Sequence, residues 1–260
     1  MSESVRKKWT REETILAFDL YCKISFGKIS STNPLVRELA EIIGRTPGSV
    51  SLKMCNLAAL DPMLRQRGVS GMKHGSLLDQ EVFQEFCDSW EELSYEAQKI
   101  RAEYQRASIE QINPELMLSQ IPQGADRVAE TKIRIGQDFF RNSVLSAYRN
   151  RCCITGIENS QLLVASHIKP WSVSDADRER TNPCNGLCLN ALHDKAFDRG
   201  LITITADYRI LISPRIADSG MDEKTRLWFL SYADARIMQP EKFPPDPNFI
   251  RYHNEVIFQR

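Results

Sequence analysis

This sequence lacks an excess of either charge. Its 260 residues carry 34 Lys+Arg and 34 Asp+Glu, a formal net charge of zero. That balance excludes a uniformly basic nucleic-acid coat and an acidic disordered chain. Long apolar runs are also missing. None approaches the roughly 18 consecutive apolar residues that a membrane span requires, so no membrane partner is expected. The start MSESVRKKWTREE is polar, and no apolar stretch follows it to form a secretory signal. Histidine is scarce, at four residues. The seven cysteines are scattered and odd in number, and with no export signal they suit reduced thiols in a cytoplasmic protein. No internal repeat or low-complexity tract is visible.

Charge is balanced overall but uneven along the chain. Residues 1–60 carry about +3, residues 75–130 about −8 and residues 131–215 about +4. An acidic connector between two basic regions suits two nucleic-acid-facing modules. The organisation expected is a helical, DNA-binding-like domain over 1–72 and an acidic helical connector and linker over 73–130. A catalytic domain over 131–215 and an extension packed on it over 216–260 would follow.

Within the first segment, Ile15, Leu16, Phe18, Leu20 and Tyr21 have helical spacing, and Thr10 before Glu12 and Glu13 is a start signal. A second helix fits Pro34 to Ile43, with Asn33 as cap and Gly44 as terminator. A third fits 48–60, entered through Thr46 and Pro47. Three short helices with a tight turn before the third describe a helix-turn-helix or a plain three-helix bundle. In the first case Arg45, Ser49, Ser51 and Lys53 would meet DNA. An acidic helix is expected over 78–106, with Phe83, Phe86, Trp90 and Leu93 on its buried face. Pro114, Pro122 and Gly124 mark 107–130 as a linker.

From Thr131 the character changes. QDFFRNSVLSAY (137–148) reads as an amphipathic helix, RCCITG (151–156) as a short strand closing in a turn, and 162–168 as a strand. A long polar loop (169–184), a second strand (186–189) and a helix (190–197) follow, then a strand-turn-strand hairpin over 201–212. Two of the four histidines, His167 and His193, fall in this unit, with Asn185 between them. Phosphodiester hydrolysis needs a base for water and a counter-charge for phosphate and leaving oxygen. A neutral imidazole and a divalent cation can supply these near pH 7.

VASHIKPW, then NPCNGLCLN and ALHDKAFDRGLIT, closely resemble the HNH endonuclease family, in particular its restriction endonuclease subgroup. The likeness extends upstream through RIGQDFFRNSVLSAYRNRCCITG and so covers about residues 131–215. RTPGSVSLKMCNLAALDP also resembles, less specifically, a module fused ahead of such nucleases. The resemblance implies an α+β fold with a ββα-metal core. It makes His167 the general base and Asn185 the residue that orients it, and it places a metal ligand on the following helix at His193 or Asp194. Adjacent helical residues point about 100° apart, so both reach one ion only with distortion. Asp198, one turn beyond Asp194, could ligate or brace it.

Two departures accompany the likeness. Many members carry an acidic residue or histidine just before the first histidine, as a metal ligand, where this chain has Ser166. Many also hold a bracing zinc with two CxxC pairs. Cys152-Cys153 and Cys184-x3-Cys188 have a different spacing, which points to buried thiols. Lys169, Arg178, Arg180 and Arg199 are placed to meet backbone phosphates, and Trp171 to pack beneath the loop. His74 and His253 read as structural or solvated.

The function implied is metal-dependent hydrolysis of DNA in restriction or phage defence, with Mg2+ or Mn2+ as first candidates and Zn2+ or Ni2+ as further ones. A homodimer would suit double-strand cleavage. The alternative is a DNA-binding regulator, or an interaction module of a defence complex, in which a degenerate HNH unit survives as scaffold.

Overall fold

The computed structural model describes residues 7–66, 68, 76–114, 125–217 and 220–260. His74, Gly71, Gly75, Pro122 and Gly124 lie outside the described residues. The chain divides into two compact units, 1–136 and 137–260.

In the first unit, α1 (Arg11–Lys23) starts with a reciprocal capping box between Thr10 and Glu13. Its buried residues include Ile15, Phe18, Tyr21 and the charged Glu13. Next come α2 (Pro34–Ile43) and α3 (Pro47–Ala58), each with proline in its first turn and a capping side chain, Asn33 and Thr46. Gly44 ends α2 in the left-handed region at φ 66°, where a side chain would be strained. The tight turn read from the sequence is therefore present, followed by the short α4 (Pro62–Gln66).

The single acidic helix expected over 78–106 is instead two helices, α5 (Leu77–Phe86) and α6 (Trp90–Gln105). The chain leaves helical geometry at Ser89 (φ −137°, ψ 55°). This break brings Phe83 and Trp90 onto the Phe18 ring, with centroids 5.1 and 6.1 Å away. One straight helix would have given up part of that aromatic cluster. The region expected as linker contains α7 (Ile109–Ile112) and the start of α8 (Ala125–Ala147), which begins well before residue 137 and crosses the boundary between the units.

In the second unit, Phe139, Phe140 and Val144 of α8 are buried. β1 (Leu163–His167) pairs antiparallel with β2 (Gly186–Asn190), and His167 lies opposite Gly186. The helix α9 (Ala191–Asp198) follows directly, its first turn capped by the Asn190 side chain. These three elements form the expected ββα unit of an α+β fold. Residues 151–156 make a turn rather than a strand, closed by a Gly156 N–H bond to Cys152 O.

The hairpin β3 (Ile202–Ile204) and β4 (Ile210–Ile212) comes next, then α10 (Pro214–Ala217), α11 (Glu223–Leu230) and α12 (Pro247–Tyr252). The last residues brace α9. His253 stacks on Phe197 with centroids 3.8 Å apart, and its Nε2 donates to Phe197 O. Gln259 N donates to Gly200 O.

Gly186 is tightly constrained. A Cβ on Gly186 would lie 2.3 Å from Val144 Cγ2 and 3.0 Å from the Phe140 ring. Gly186→Ala is therefore expected to destabilise the protein by about 2 kcal/mol through overpacking, and Val144→Ala in the same chain should recover part of that loss. Denaturant titration of the two variants tests this.

Burial pushes His253 down from 6.5 to about 4. Between those values the unfolded chain binds a proton that the folded one refuses. The contribution of His253 is thus fully present above pH 6.5 and is lost as pH falls toward about 4. Melting temperature should fall across that window, and less steeply in His253→Gln.

Candidate active site

His167 ends β1, and its ring is fixed on three sides. Phe140 stacks on it with centroids 3.9 Å apart and planes 10° apart, and Trp171 meets it edge-on at 5.6 Å. Nε2 lies 2.8 Å from Arg180 O. A carbonyl can only accept, so Nε2 must carry the proton, and Nδ1 is left with the lone pair. Burial is the largest influence on this imidazole and lowers its pKa, while the Arg180 carbonyl and Asp194 oppose the shift. The ring is thus held neutral, in one tautomer.

Asn185 controls that ring through the backbone rather than by touching it. It is fully buried, at the end of a short 3-10 turn (Pro183–Asn185). Its Oδ1 accepts from Lys169 N at 2.8 Å, and its Nδ2 donates to Lys169 O at 3.1 Å and to Glu179 O at 3.3 Å. One amide thereby ties both ends of the 169–180 loop. Glu179 is the neighbour of Arg180, whose carbonyl receives the His167 proton. Both polar ends of the amide are thus taken by the loop that carries Arg180.

On α9, the two candidate ligands diverge as helix geometry requires. Asp194 shares electrostatic coupling with His167 and lies beside Ser166. The Ser166 Oγ is buried and makes no well-formed hydrogen bond. Burial, reinforced by Asp198, holds the Asp194 carboxyl above its usual range, although Ser166, Lys195 and His167 pull it down. Asp198 is raised by burial as well.

His193 faces a different cluster. Its Nε2 lies 3.2 Å from Trp228 O and its Nδ1 lies 3.0 Å from Asn190 Nδ2, so both ring nitrogens are engaged away from His167. Of the two expected ligand positions, Asp194 is therefore the one coupled to His167.

That second cluster is a polar knot. Asn190 Nδ2 also donates to Thr155 Oγ1 at 3.0 Å and to Cys152 Sγ at 3.4 Å, and Thr155 N donates to the same sulfur. Cys152-x2-Thr155 and Asn190-x2-His193 have the spacing of two metal-binding pairs, but amide, hydroxyl and imidazole stand where thiolates would be. The pairing of Cys152-Cys153 with Cys184-x3-Cys188 missed this. The recoverable signal was the repeated x2 interval, once cysteine is not required at every corner. Cys188 is instead a buried thiol, pushed up to about 12 by desolvation.

The predicted cationic residues also sort by environment. Lys169 is ion-paired with Glu179, and Arg180 donates to Ser174 O and lies over Trp171. Arg178 and Arg199 are exposed. In the first unit, Arg45 is enclosed by Glu13 and the carbonyls of Lys7 and Lys8, and Lys53 is buried against Asp79. Each is thus ion-paired with a buried carboxylate, Arg45 with Glu13 and Lys53 with Asp79. Ser49 is half-buried at the start of α3. Phe140 and the carbonyl of Arg180 are site groups the sequence reading missed, since neither belongs to a polar motif.

Among the described residues no three His, Cys, Asp or Glu side chains converge on one point. The donor set suits a hard, hydrated cation that uses one or two carboxylates and completes its shell with water and phosphate oxygens. The half-buried Asp194 carboxyl, raised in pKa by burial and by the exposed Asp198, is the local feature that such a charge would relieve.

Residues 152–205 match the model of the HNH endonuclease family. Among solved structures, a modification-dependent TagI restriction endonuclease is similar at 19% identity and a TM-score of 0.32, over 45% of this chain. The likeness spans 37% of that protein's length. No curated protein matches the chain. No helix among the described residues is long and apolar enough to cross a membrane.

If Asn185 works through the loop, Asn185→Ala should release both ends of 169–180 and cost about 2 kcal/mol, the range for buried groups left unsatisfied. The His167 resonances should lose their single-tautomer pattern in 15N spectra of the imidazole. A variant that melts normally with an unchanged His167 tautomer contradicts this action through the loop.

Proposed function

We propose that the protein is a metal-dependent endonuclease that hydrolyses DNA phosphodiester bonds, with His167 as general base. The carrying observation is that Nε2–H donates to Arg180 O, which leaves Nδ1 as acceptor on a neutral, buried ring. Nδ1 accepts a proton from water as the water oxygen bonds to phosphorus. The P–O3′ bond breaks and the departing O3′ takes a proton from a water molecule, leaving a 5′-phosphate and a 3′-hydroxyl. Phe140 and Trp171 hold the ring in place during the transfer, and Asn185 keeps the loop carbonyl in position.

Asp194 is the proposed metal-holding residue, with Asp198 and the Ser166 hydroxyl beside it. A divalent cation there supplies positive charge for the phosphate and the departing oxygen. Mg2+ and Mn2+ suit these oxygen donors, with Zn2+ and Ni2+ as further candidates. Arg178 and Arg199 are exposed and available to backbone phosphates. Restriction or phage defence is the proposed setting, one in which a DNA-cleaving chain serves its host.

Plasmid nicking with Mg2+, Mn2+, Ni2+ or EDTA tests this reading. Wild type should nick with at least one cation and stop in EDTA. His167→Ala should lose about 100-fold or more, the usual worth of a general base, and Asp194→Asn should lose activity that higher metal concentration partly restores. Equal cutting by wild type and His167→Ala refutes the proposal. So does failure of the wild type on every DNA, modified or not, and that result would favour a DNA-binding regulator built on an HNH scaffold.

A further inference from the structure

The 169–180 loop is closed twice, once by the Asn185 amide and once by its own side chains. Glu179 Oε2 is ion-paired with Lys169 Nζ, from the opposite end of the loop, and accepts from Asp175 N at 2.8 Å. The two charged side chains are 19% and 24% exposed, so solvent screens the pair only in part. The Lys169 ammonium also lies 5.5 Å from the centre of the Tyr252 ring on α12. A residue outside the loop therefore helps to hold the partner of the Glu179 carboxylate.

Asp175 is the next link. Its backbone O accepts from Glu179 N and from Arg180 N, each at 3.1 Å. Its Oδ1 accepts from Asp177 N and Arg178 N, which folds the intervening residues into a tight turn. Through Asp175 N, the Glu179 carboxylate thus grips the residue whose carbonyl holds Arg180. Arg180 O accepts from His167 Nε2, and His167 stands two residues before Lys169. The bonds form a closed circuit. It runs from His167 along the chain to Lys169, then through Glu179, Asp175 and Arg180 back to His167. Asn185 ties Lys169 to the Glu179 carbonyl; the hold on Asp175 N comes from the Glu179 side chain.

Either nitrogen of a neutral imidazole can carry the proton, and the bond made by one decides which. We propose that Glu179 is a positioning residue for the general base. By bridging Lys169 and Asp175, its carboxylate oxygen sets where Arg180 O sits, and so which nitrogen of His167 is free to accept a proton. The reach of that oxygen matters more than its charge, because an amide oxygen can accept from the same N–H and ammonium. The word base rests on the nuclease reading above; the effect on the His167 ring does not.

The test uses the full chain and two measurements. One is 15N spectra of the imidazoles without DNA, and the other is kcat and KM for plasmid nicking. Wild type should show His167 as a single Nε2–H tautomer. Glu179→Ala should show a mixture, with kcat about tenfold lower, because a ring in the wrong tautomer cannot accept the water proton. Its KM should be unchanged. Glu179→Gln places an oxygen at the same reach and should restore the single tautomer and most of kcat. Glu179→Asp keeps the charge on a side chain one methylene shorter and should behave like Glu179→Ala. If Glu179→Ala does not fold, Glu179→Asp takes its place in each comparison.

A single tautomer in the Ala and Asp variants overturns the proposal, even where their melting temperatures fall, since Glu179 would then be structural only. Rescue by Asp and not by Gln overturns it as well, because charge would be acting in place of geometry. So does a lower KM with unchanged kcat, which would make Glu179 a repeller of DNA. Tautomer mixing in a variant of a protein that never nicks refutes the nuclease reading alone. Nicking by wild type, with the tautomer unchanged in both variants, refutes the role of Glu179 alone.

Discussion

The catalytic half of the molecule depends on one buried amide. Asn185 has no access to solvent, yet its oxygen and nitrogen are bonded to the two ends of the 169–180 loop. The loop in turn presents Arg180 O to His167. A proton is thereby assigned to one ring nitrogen by a carbonyl rather than by a carboxylate. A carboxylate partner would raise the imidazole pKa, whereas a neutral carbonyl fixes the tautomer and leaves burial to keep the ring uncharged. The stack on Phe140 and the close approach at Gly186 serve the same end, because both place β1 and β2 hard against α8.

Much of this was legible in the sequence. Alternation and turn residues located β1, β2 and the hairpin, and Asn33-Pro34 and Thr46-Pro47 located two helix starts. Caps and short strands are local decisions, so a few residues encode them. The choice between His193 and Asp194 was not legible. It depends on which way α9 is rotated, and that rotation is set by α11 and by Asn190, thirty-five and three residues away from His193. The break between α5 and α6 was hidden for a similar reason, since the Phe18 cluster rewards it and Phe18 lies far back in the chain.

Charge misled in a related way. Arg45 and Lys53 sit on a basic stretch and look available to DNA, but the groups that neutralise them, Glu13 and Asp79, come from other helices. Glu13 illustrates the balance. Its burial favours the protonated acid, yet Arg45, the Thr10 N–H and Lys7 together bring its pKa below the ordinary value. A segmental charge count registers the cations and cannot see that they face inward. What it left for solvent, Arg178 and Arg199, lies on or next to the ββα unit.

The brace under α9 bears on how the protein is made. Gly200, at φ 66°, ends the stretch after α9, and a Cβ there would strike Ile257 O at 2.0 Å. His253 and Gln259 bond to the same end of the helix. These partners are separated by more than fifty residues, so the helix bearing Asp194 gains its floor only after the intervening chain has left the ribosome. Units made earlier fold earlier during synthesis. The helix that bears Asp194 therefore reaches its final packing later in synthesis than the first unit does.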